Sequence, residues 1–473
     1  MAHQTAEDVG DTLYGMRAAV FWYDHGVGGQ SFRKEISSVL DRWLNNGLYV
    51  SAACESADIA EVARWLHRLP LVHVVEASGW PSLANDIHAH SPGPIWRDVP
   101  VANVDGENLS LSDVAWLQRA FADCTRIEVS RLSGGFSARV YHVHAWLSEG
   151  NAVAHPLPFV AKIDARAKVE REVRNYADYV ETSIPFRSRP NLVRDRCLMG
   201  RVEAILVANF VDESEPFWRS VRKGGGVGAI HSLYAQSLHG WTAQAYEVQD
   251  YLDYWTHPRA SVARSYLEGG HETVLPARFP HRNQKVAAAL GATRDAGALA
   301  ADISTMRAAR HRRGPIHGDL HVENIRVIGS EAILIDFPGV AVGPLVFDSA
   351  SLEVSVVFGP AVRAEVGRST ADRKRWRAVV DALYAQQNVE GAMPPQCSDT
   401  MWQWLWIAIR HLRALALEES EMGETYTQAL AMSLLRFASH KGQDAADTFC
   451  RGYAYVTGER LLARVAGKGP SAP

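Results

Sequence analysis

The chain has 473 residues, of which 47% are hydrophobic and 22% charged, with a formal net charge of -4 and a pI of about 6.6. This length predicts about two to four domains, and the acidic balance argues against a nucleic-acid surface. No apolar run reaches the ~18 residues of a membrane span, and the polar start MAHQTAEDVGDT does not resemble a signal peptide. We therefore expect no nucleic-acid or membrane partner.

The cysteines are scattered, odd in number and never in a CxxC pair; they are Cys54, Cys124, Cys197, Cys397 and Cys450. This usage favours reduced thiols and a cytoplasmic location, and it offers no metal-site spacing.

Strand-like and helix-like segments alternate in the first part of the chain. The strand-like runs are AAVFWYD, LYVSAAC and LVHVVEA, and apolar residues recur at helical spacing in the two segments between them. The β-α-β-α-β order predicts a small, mainly parallel sheet with flanking helices. Prolines and glycines then punctuate residues 81–112, which places a domain boundary at about residue 111.

The second and third strands and the helix between them resemble part of a response-regulator receiver. A receiver has paired acids after its first strand and a phospho-acceptor aspartate after its third, whereas this chain has only Asp24 and Glu76 there. The resemblance therefore implies a degenerate receiver within residues 1–111 that serves for contact with a protein partner or for dimerisation. A receiver-like domain before the rest of the chain also suggests a bacterial signalling or conflict-system protein.

Further along the chain, a helix from Ser112 precedes strand-like segments separated by a glycine turn, and residues after 212 are mostly helical. The segment GPIHGDLHVENIRVIGSEAILIDFPG interrupts these helices. Its NIRVI and AILID runs predict a hairpin that brings Asn324 and Asp336 to one end, with Asp319 on the adjacent loop. An amide and a carboxylate oxygen suit Mg²⁺ completed by phosphate oxygens. A further carboxylate can accept a hydroxyl proton, as phosphoryl transfer from ATP requires.

The HGDLHVEN and LIDF motifs resemble those of the aminoglycoside phosphotransferase and choline kinase group, which has a protein-kinase-like fold. Gly318 and Pro338 stand where protein kinases have arginine and glycine, which points to small-molecule acceptors. The resemblance implies that Asp319 is the catalytic base and that Asn324 and Asp336 hold magnesium. It also implies that Asp348 braces the loop, while we expect structural hydrogen bonds from His317 and His321.

The same resemblance, over about residues 125 to 450, implies a nucleotide-binding amino-terminal lobe at 112–210 and a helical carboxy-terminal lobe at 211–473. It implies that Lys162 contacts ATP phosphates and pairs with Glu172 in preference to Glu170. The remaining implied ATP contacts are the glycine turn with Gly134, Gly135 and Ser137 over the phosphates, and Ala208 and Asn209 beside adenine.

The sequence thus predicts an α/β domain followed by an α+β bilobal kinase-like domain with a large helical lobe. The expected function is ATP- and Mg²⁺-dependent transfer of the γ-phosphate to a small-molecule hydroxyl. A non-catalytic, pseudokinase-type nucleotide-binding regulator is the alternative, and a protein kinase is less favoured. The acceptor, the ATP or GTP preference and the oligomeric state stay open.

Two further clusters have competing interpretations. Acidic residues near a helix end resemble the cation-binding acids of the family, although a solvated helix end is the preferred interpretation; they are Glu418, Glu419, Glu421 and Glu424. Trp402, Trp404 and Trp406 are expected to be core residues rather than an aromatic cage.

Overall fold

The computed structural model forms two compact units, which are residues 1–174 with 190–212 and residues 175–189 with 213–473. We refer to them as the first and the second unit. The structure describes residues 18–23, 30–45, 48–89, 99–106, 108–132, 138–147, 155–200, 202–211, 213–248, 281–299, 311–385, 393–398, 401–420 and 423–465.

The first unit begins with the predicted alternation of strands and helices. The elements are β1 (Ala18–Trp22), α1 (Gln30–Asn45), β2 (Tyr49–Cys54), α2 (Ile59–Trp65), β3 (His73–Glu76) and α3 (Trp80–Ala89). The strands pair in parallel in the order β1-β2-β3, with Ala18 opposite Tyr49 and Ser51 opposite His73. The small parallel sheet predicted from sequence is therefore confirmed.

The strand order of this sheet differs from that of a receiver. A receiver has the order 2-1-3, in which the first strand is central, whereas β2 is the central strand here. The receiver resemblance rested on local alternation, which predicts strands and helices but not which strand occupies the middle of a sheet.

The rest of the first unit is a six-stranded sheet with two helices. The elements are β4 (Val101–Asn103), α4 (Leu111–Ala120), β5 (Cys124–Arg131), β6 (Arg139–Leu147), β7 (Leu157–Ala165), α5 (Arg166–Asn175), β8 (Leu198–Met199) and β9 (Glu203–Asn209). The order is β4-β5-β6-β7-β9-β8; β4 runs parallel to β5, and the other neighbours are antiparallel. The linker after the first sheet thus contributes β4 as an edge strand of the six-stranded sheet.

The two faces of this sheet pack against different elements. Ala161 and Ile163 of β7 belong to one apolar core with α4 and the first three strands, whereas Val160 packs with Val169 of α5. Because side chains alternate along a strand, Lys162 shares the face of Val160. The amino-terminal segment therefore covers the sheet face opposite Lys162.

A close approach at Gly200 marks how tightly this core is packed. A Cβ atom there would lie 2.5 Å from the Pro70 carbonyl oxygen and 2.6 Å from the Trp116 ring. Only glycine fits between these groups. The segment between α2 and β3, which contains Pro70, therefore packs directly against the six-stranded sheet.

The second unit is mainly helical. Its helices are α6 (Phe217–Arg222), α7 (Val227–Ser232), α8 (His239–Thr242), α9 (His281–Ala289), α10 (Val346–Phe358), α11 (Pro360–Val366), α12 (Thr370–Ala385), α13 (Gln403–Ser420), α14 (Gly423–Ala438) and α15 (Ala445–Val465). Its strands are β10 (Glu215–Pro216), β11 (Tyr246–Val248), β12 (His311–Ile316), β13 (Ile325–Ile328), β14 (Glu331–Leu334) and β15 (Ala341–Pro344). They form two small sheets, β10-β13-β14 and β11-β12-β15.

Aromatic and ionic groups fill the helical core. Trp402 and Trp406 are 0% and 2% exposed, as expected for core residues, whereas Trp404 is only half-buried. The buried Arg413 pairs with Glu353 at 2.6 Å, and Tyr426 donates a hydrogen bond to the same carboxylate at 2.7 Å. This pairing satisfies a charge that would otherwise be costly to bury.

All five cysteines are buried free thiols. Over the described ranges, no helix is both long and apolar enough to cross a membrane.

Candidate active site

The loop after β12 carries Asp319 and is held by a buried carboxylate. Asp348, in the first turn of α10, accepts hydrogen bonds from the backbone N–H groups of His317 at 2.5 Å and Gly318 at 2.9 Å. Gly318 has φ of 71°, which favours a residue without Cβ. The turn therefore places Asp319 directly after a backbone fixed at two successive amides.

The predicted hairpin brings Asn324 back to this loop. β13 and β14 pair with Ile325 opposite Leu334, and the Ile335 N–H donates to the Asn324 carbonyl at 3.0 Å. The Asn324 side-chain nitrogen donates to the Asp319 carbonyl at 2.9 Å. This bond uses the nitrogen side of the amide, so Asn324 Oδ1 is the atom suited to a cation.

Asp336 lies just beyond β14 in an unusual backbone conformation. Its φ is 68°, in the left-handed region that residues other than glycine rarely adopt. Such a conformation costs of order 1–3 kcal/mol, and such residues are concentrated at functional sites. The strain reorients the chain at the residue that the motif assigns to a metal.

The imidazole of His317 is fully buried. Its Nε2 donates to the Ile335 carbonyl at 3.0 Å, which fixes the tautomer because a carbonyl can only accept. Burial lowers the pKa of His317; the bond to Ile335 and the charges of Asp319 and Asp336 act in the opposite direction.

The second histidine of the motif also makes a structural hydrogen bond. His321 Nδ1 accepts from the Glu323 backbone N–H at 3.2 Å. Both histidines thus stabilise the loop backbone, as the sequence led us to expect.

Two contacts of this loop region had not been expected from the sequence. Arg436, in the last turn of α14, donates from Nη2 to Asp319 Oδ1 at 3.0 Å across 117 residues of sequence. Asn175 donates from Nδ2 to the carbonyls of Phe337 at 3.1 Å and Pro338 at 3.3 Å. Neither residue lies in a motif, so no local signal could have identified it.

In the first unit, Lys162 and Glu172 form a largely buried ion pair. Lys162 Nζ lies 2.8 Å from Glu172 Oε2, and the side chains are 16% and 8% exposed. Glu170 instead pairs with Arg166 at 2.6 Å. The choice between the two glutamates is therefore made by the face of α5 on which each lies.

The residues expected near adenine lie at the end of β9. Ala208 is opposite Val160 in the sheet and forms a bridge to Leu192 on the other side. The Asn209 N–H donates to the Asn191 carbonyl at 3.1 Å, so this donor is engaged within the protein.

The glycine-turn residues Gly134, Gly135 and Ser137 lie outside the described residues, as do the side chains of Glu418, Glu419 and Glu421. Glu424 is exposed in the first turn of α14.

The donor set at the hairpin end fits a hard cation with few protein ligands. Asn324 supplies an amide oxygen and Asp336 a carboxylate, which are ligand types that Mg²⁺ takes together with phosphate oxygens. Within the described part of the chain, no cluster of three or more His, Cys, Asp or Glu could hold a metal.

Comparison with protein-family profiles shows to which family the chain belongs. The profile of the phosphotransferase enzyme family APH matches residues 128–379, just over half of the sequence. The chain belongs to this family. Lys162, Asp319, Asn324 and Asp336 all lie within the matched residues, whereas Arg436 lies beyond them. The predicted fold class, an α/β segment followed by a kinase-like phosphotransferase with a large helical lobe, is confirmed.

Solved structures of kinases are also similar to this chain, at low identity. An amicoumacin kinase in complex with AMP-PNP, Ca²⁺ and Ami is 13% identical; the match covers 73% of this chain and 90% of that one, with a TM-score of 0.37. A choline kinase from Cryptosporidium parvum Iowa II is 10% identical; the match covers 72% of this chain and 88% of that one, with a TM-score of 0.33. A thermostable aminoglycoside phosphotransferase mutant with ADP and hygromycin B is 10% identical; the match covers 76% of this chain and 99% of that one, with a TM-score of 0.37. No protein of curated function matches.

Replacing Asp348 tests how strongly its carboxylate supports the loop that carries Asp319. Asp348→Ala leaves two buried backbone N–H groups without their acceptor, at about 1–3 kcal/mol each. We expect the free energy of unfolding, measured by urea denaturation, to fall by about 2–6 kcal/mol. Asp348→Asn keeps one acceptor oxygen and should lose less. Equal stability of wild type and Asp348→Ala would contradict this role.

Proposed function

We propose that this protein transfers the γ-phosphate of ATP to a hydroxyl group of a small molecule, with Mg²⁺. The observation that carries the proposal is the arrangement of the loop and hairpin. Asn324 Nδ2 donates to the Asp319 carbonyl at 2.9 Å, and the Ile335 N–H donates to the Asn324 carbonyl at 3.0 Å. Asp336 follows Ile335 directly, so these three oxygen-bearing residues lie at the same end of the hairpin.

Magnesium would be held by Asn324 Oδ1 and the Asp336 carboxylate, and when bound it supplies positive charge to the phosphates. Asp319 orients the acceptor hydroxyl and takes its proton as that oxygen attacks. A carboxylate in hydrogen-bond reach of the attacking group suits this role. The protein's contribution is chiefly positioning and charge neutralisation.

Lys162 is the proposed contact to the ATP phosphates in the first unit. A lysine can hold an oxyanion only if its ammonium is kept charged and oriented, and Glu172 at 2.8 Å serves both needs. The Gly134-Gly135-Ser137 turn is the proposed cover over the phosphates. Ala208 and Asn209 are the proposed neighbours of adenine, with the Asn209 carbonyl as the backbone acceptor.

Gly318 and Pro338 favour a small-molecule acceptor over a protein substrate. Gly318 occupies the position at which protein kinases carry arginine. Family membership points the same way.

Substitution of the proposed base and metal ligand should abolish turnover. For purified Asp319→Asn and Asp336→Asn, we expect ADP formation with an accepted alcohol to fall by about 100- to 10,000-fold, the usual contribution of a positioned proton acceptor. Circular dichroism and thermal melting should match the wild type, because neither side chain is in the core.

Full ADP formation by Asp336→Asn would refute the metal assignment. Thermal melting with ATP, with and without Mg²⁺, separates the enzyme from a non-catalytic nucleotide-binding regulator. Stabilisation by Mg²⁺ and ATP without phosphate transfer to any alcohol would favour the regulator.

The two glutamates of α5 provide a matched pair of variants. Glu172→Gln removes the charge that holds Lys162, and we expect kcat/KM for ATP to fall at least about tenfold, or about 1.4 kcal/mol. Glu170→Gln changes the same residue type on the same helix and should stay within about twofold, since Glu170 pairs with Arg166. Similar losses in both variants would contradict the special role of the Lys162–Glu172 pair.

A further inference from the structure

Asp319, the proposed base, is in direct contact with a positive charge. Arg436 Nη2 lies 3.0 Å from Asp319 Oδ1, and the two side chains are 26% and 29% exposed. Within the described ranges, Asp319 is the only side chain to which the Arg436 guanidinium bonds. The guanidinium and the carboxylate are both accessible to a ligand.

The backbone around Arg436 is anchored by other residues. The carbonyl of Phe437 accepts from Arg451 Nη1 at 2.6 Å, and that of Ala438 accepts from Asn283 Nδ2 at 2.9 Å. The end of α14 is thus capped without the Arg436 side chain. Its guanidinium is not needed to complete the helix, and it is directed to the base instead.

An ion pair of this exposure is weak. Such pairs contribute about 0–1 kcal/mol, so a competing anion can replace one partner at little cost. A guanidinium has five N–H donors in a planar fork that matches carboxylate and phosphate oxygens. A cationic group would be repelled by the Arg436 guanidinium, whereas an anionic group would be attracted to it.

We propose that Arg436 binds an anionic group of the acceptor beside the hydroxyl that Asp319 orients. The acceptor class is an alcohol with a carboxylate or phosphate, such as a hydroxy acid, rather than a polycation. This inference rests on the proposed function. Because Arg436 and Asp319 touch, a ligand that meets both carries its hydroxyl and its anion on neighbouring or next-but-one carbon atoms.

The transfer balances without a further reactant. The acceptor oxygen forms a bond to the γ-phosphorus, and the bond from that phosphorus to the β–γ bridging oxygen breaks. The hydroxyl proton passes to Asp319, and ADP leaves with the bridging oxygen. Arg436 takes no part in these steps, so it is a specificity-determining residue.

Two sets of matched alcohols test the inference. Each set has an anionic, a neutral and a cationic member: glycerate, glycerol and 2-amino-1,3-propanediol, and gluconate, glucose and glucosamine. The full-length protein is assayed for ADP formation with Mg²⁺ and ATP at constant ionic strength. We expect kcat/KM for the anionic member of at least one set to exceed that of the other two by about tenfold or more.

Three arginine variants locate the cause of the preference. Arg436→Gln should reduce the anionic preference to less than about threefold, and Arg436→Lys, which keeps the charge but not the fork, should retain an intermediate value. Arg460→Gln is the matched control: Arg460 of α15 pairs with the exposed Asp381 of α12 at 2.8 Å, and the preference should not change.

A preference of the wild type for the neutral or cationic members would overturn the inference. So would an anionic preference that persists in Arg436→Gln. If no alcohol is phosphorylated, the proposed function fails instead. Calorimetric titration of glycerate and gluconate in the presence of AMP-PNP then decides the inference: binding lost in Arg436→Gln supports it, and absence of binding to wild type overturns it.

Discussion

Asp348 accepts hydrogen bonds from two successive backbone amides, those of His317 and Gly318, and the placement of Asp319 in the proposed catalytic loop depends on that anchored turn. A buried carboxylate with two N–H donors is firmly held, because loss of either bond leaves an unsatisfied group. Asp319 follows the turn directly, and its carbonyl receives the amide of Asn324. Loop and hairpin are thus connected through backbone atoms, which leaves carboxylate and amide oxygens for a ligand.

The first unit has its own constraint, in the helix that carries Glu172. Arg166, the first residue of α5, bonds to Glu170 at 2.6 Å and to the His73 ring of the amino-terminal sheet at 3.0 Å. Arg166 Nη2 also lies 3.6 Å from Asp86 Oδ2. The amino-terminal segment therefore supports the start of the helix whose later turn positions Lys162. One core shared by both sheets makes this segment part of the support rather than an independent attachment.

The sequence predicted the loop and the hairpin better than the contacts around them. Asp319, Asn324 and Asp336 lie within one short segment, so a hairpin and a glycine turn are enough to place them near one another. The contact of Arg436 with Asp319 depends on the packing of a distant helix, which local periodicity does not encode. The same reason explains why the first sheet has a different strand order from a receiver. Alternating apolar runs predicted three strands and their helices, while the central position of β2 depends on long-range pairing.

The most direct test of the central claim is a crystal structure of the protein with AMP-PNP and Mn²⁺, in which anomalous scattering locates the metal. The account predicts a manganese peak bound by Asn324 Oδ1, the Asp336 carboxylate and phosphate oxygens of a nucleotide that also contacts Lys162. A nucleotide without contact to Lys162, or a metal bound by other residues, would contradict it.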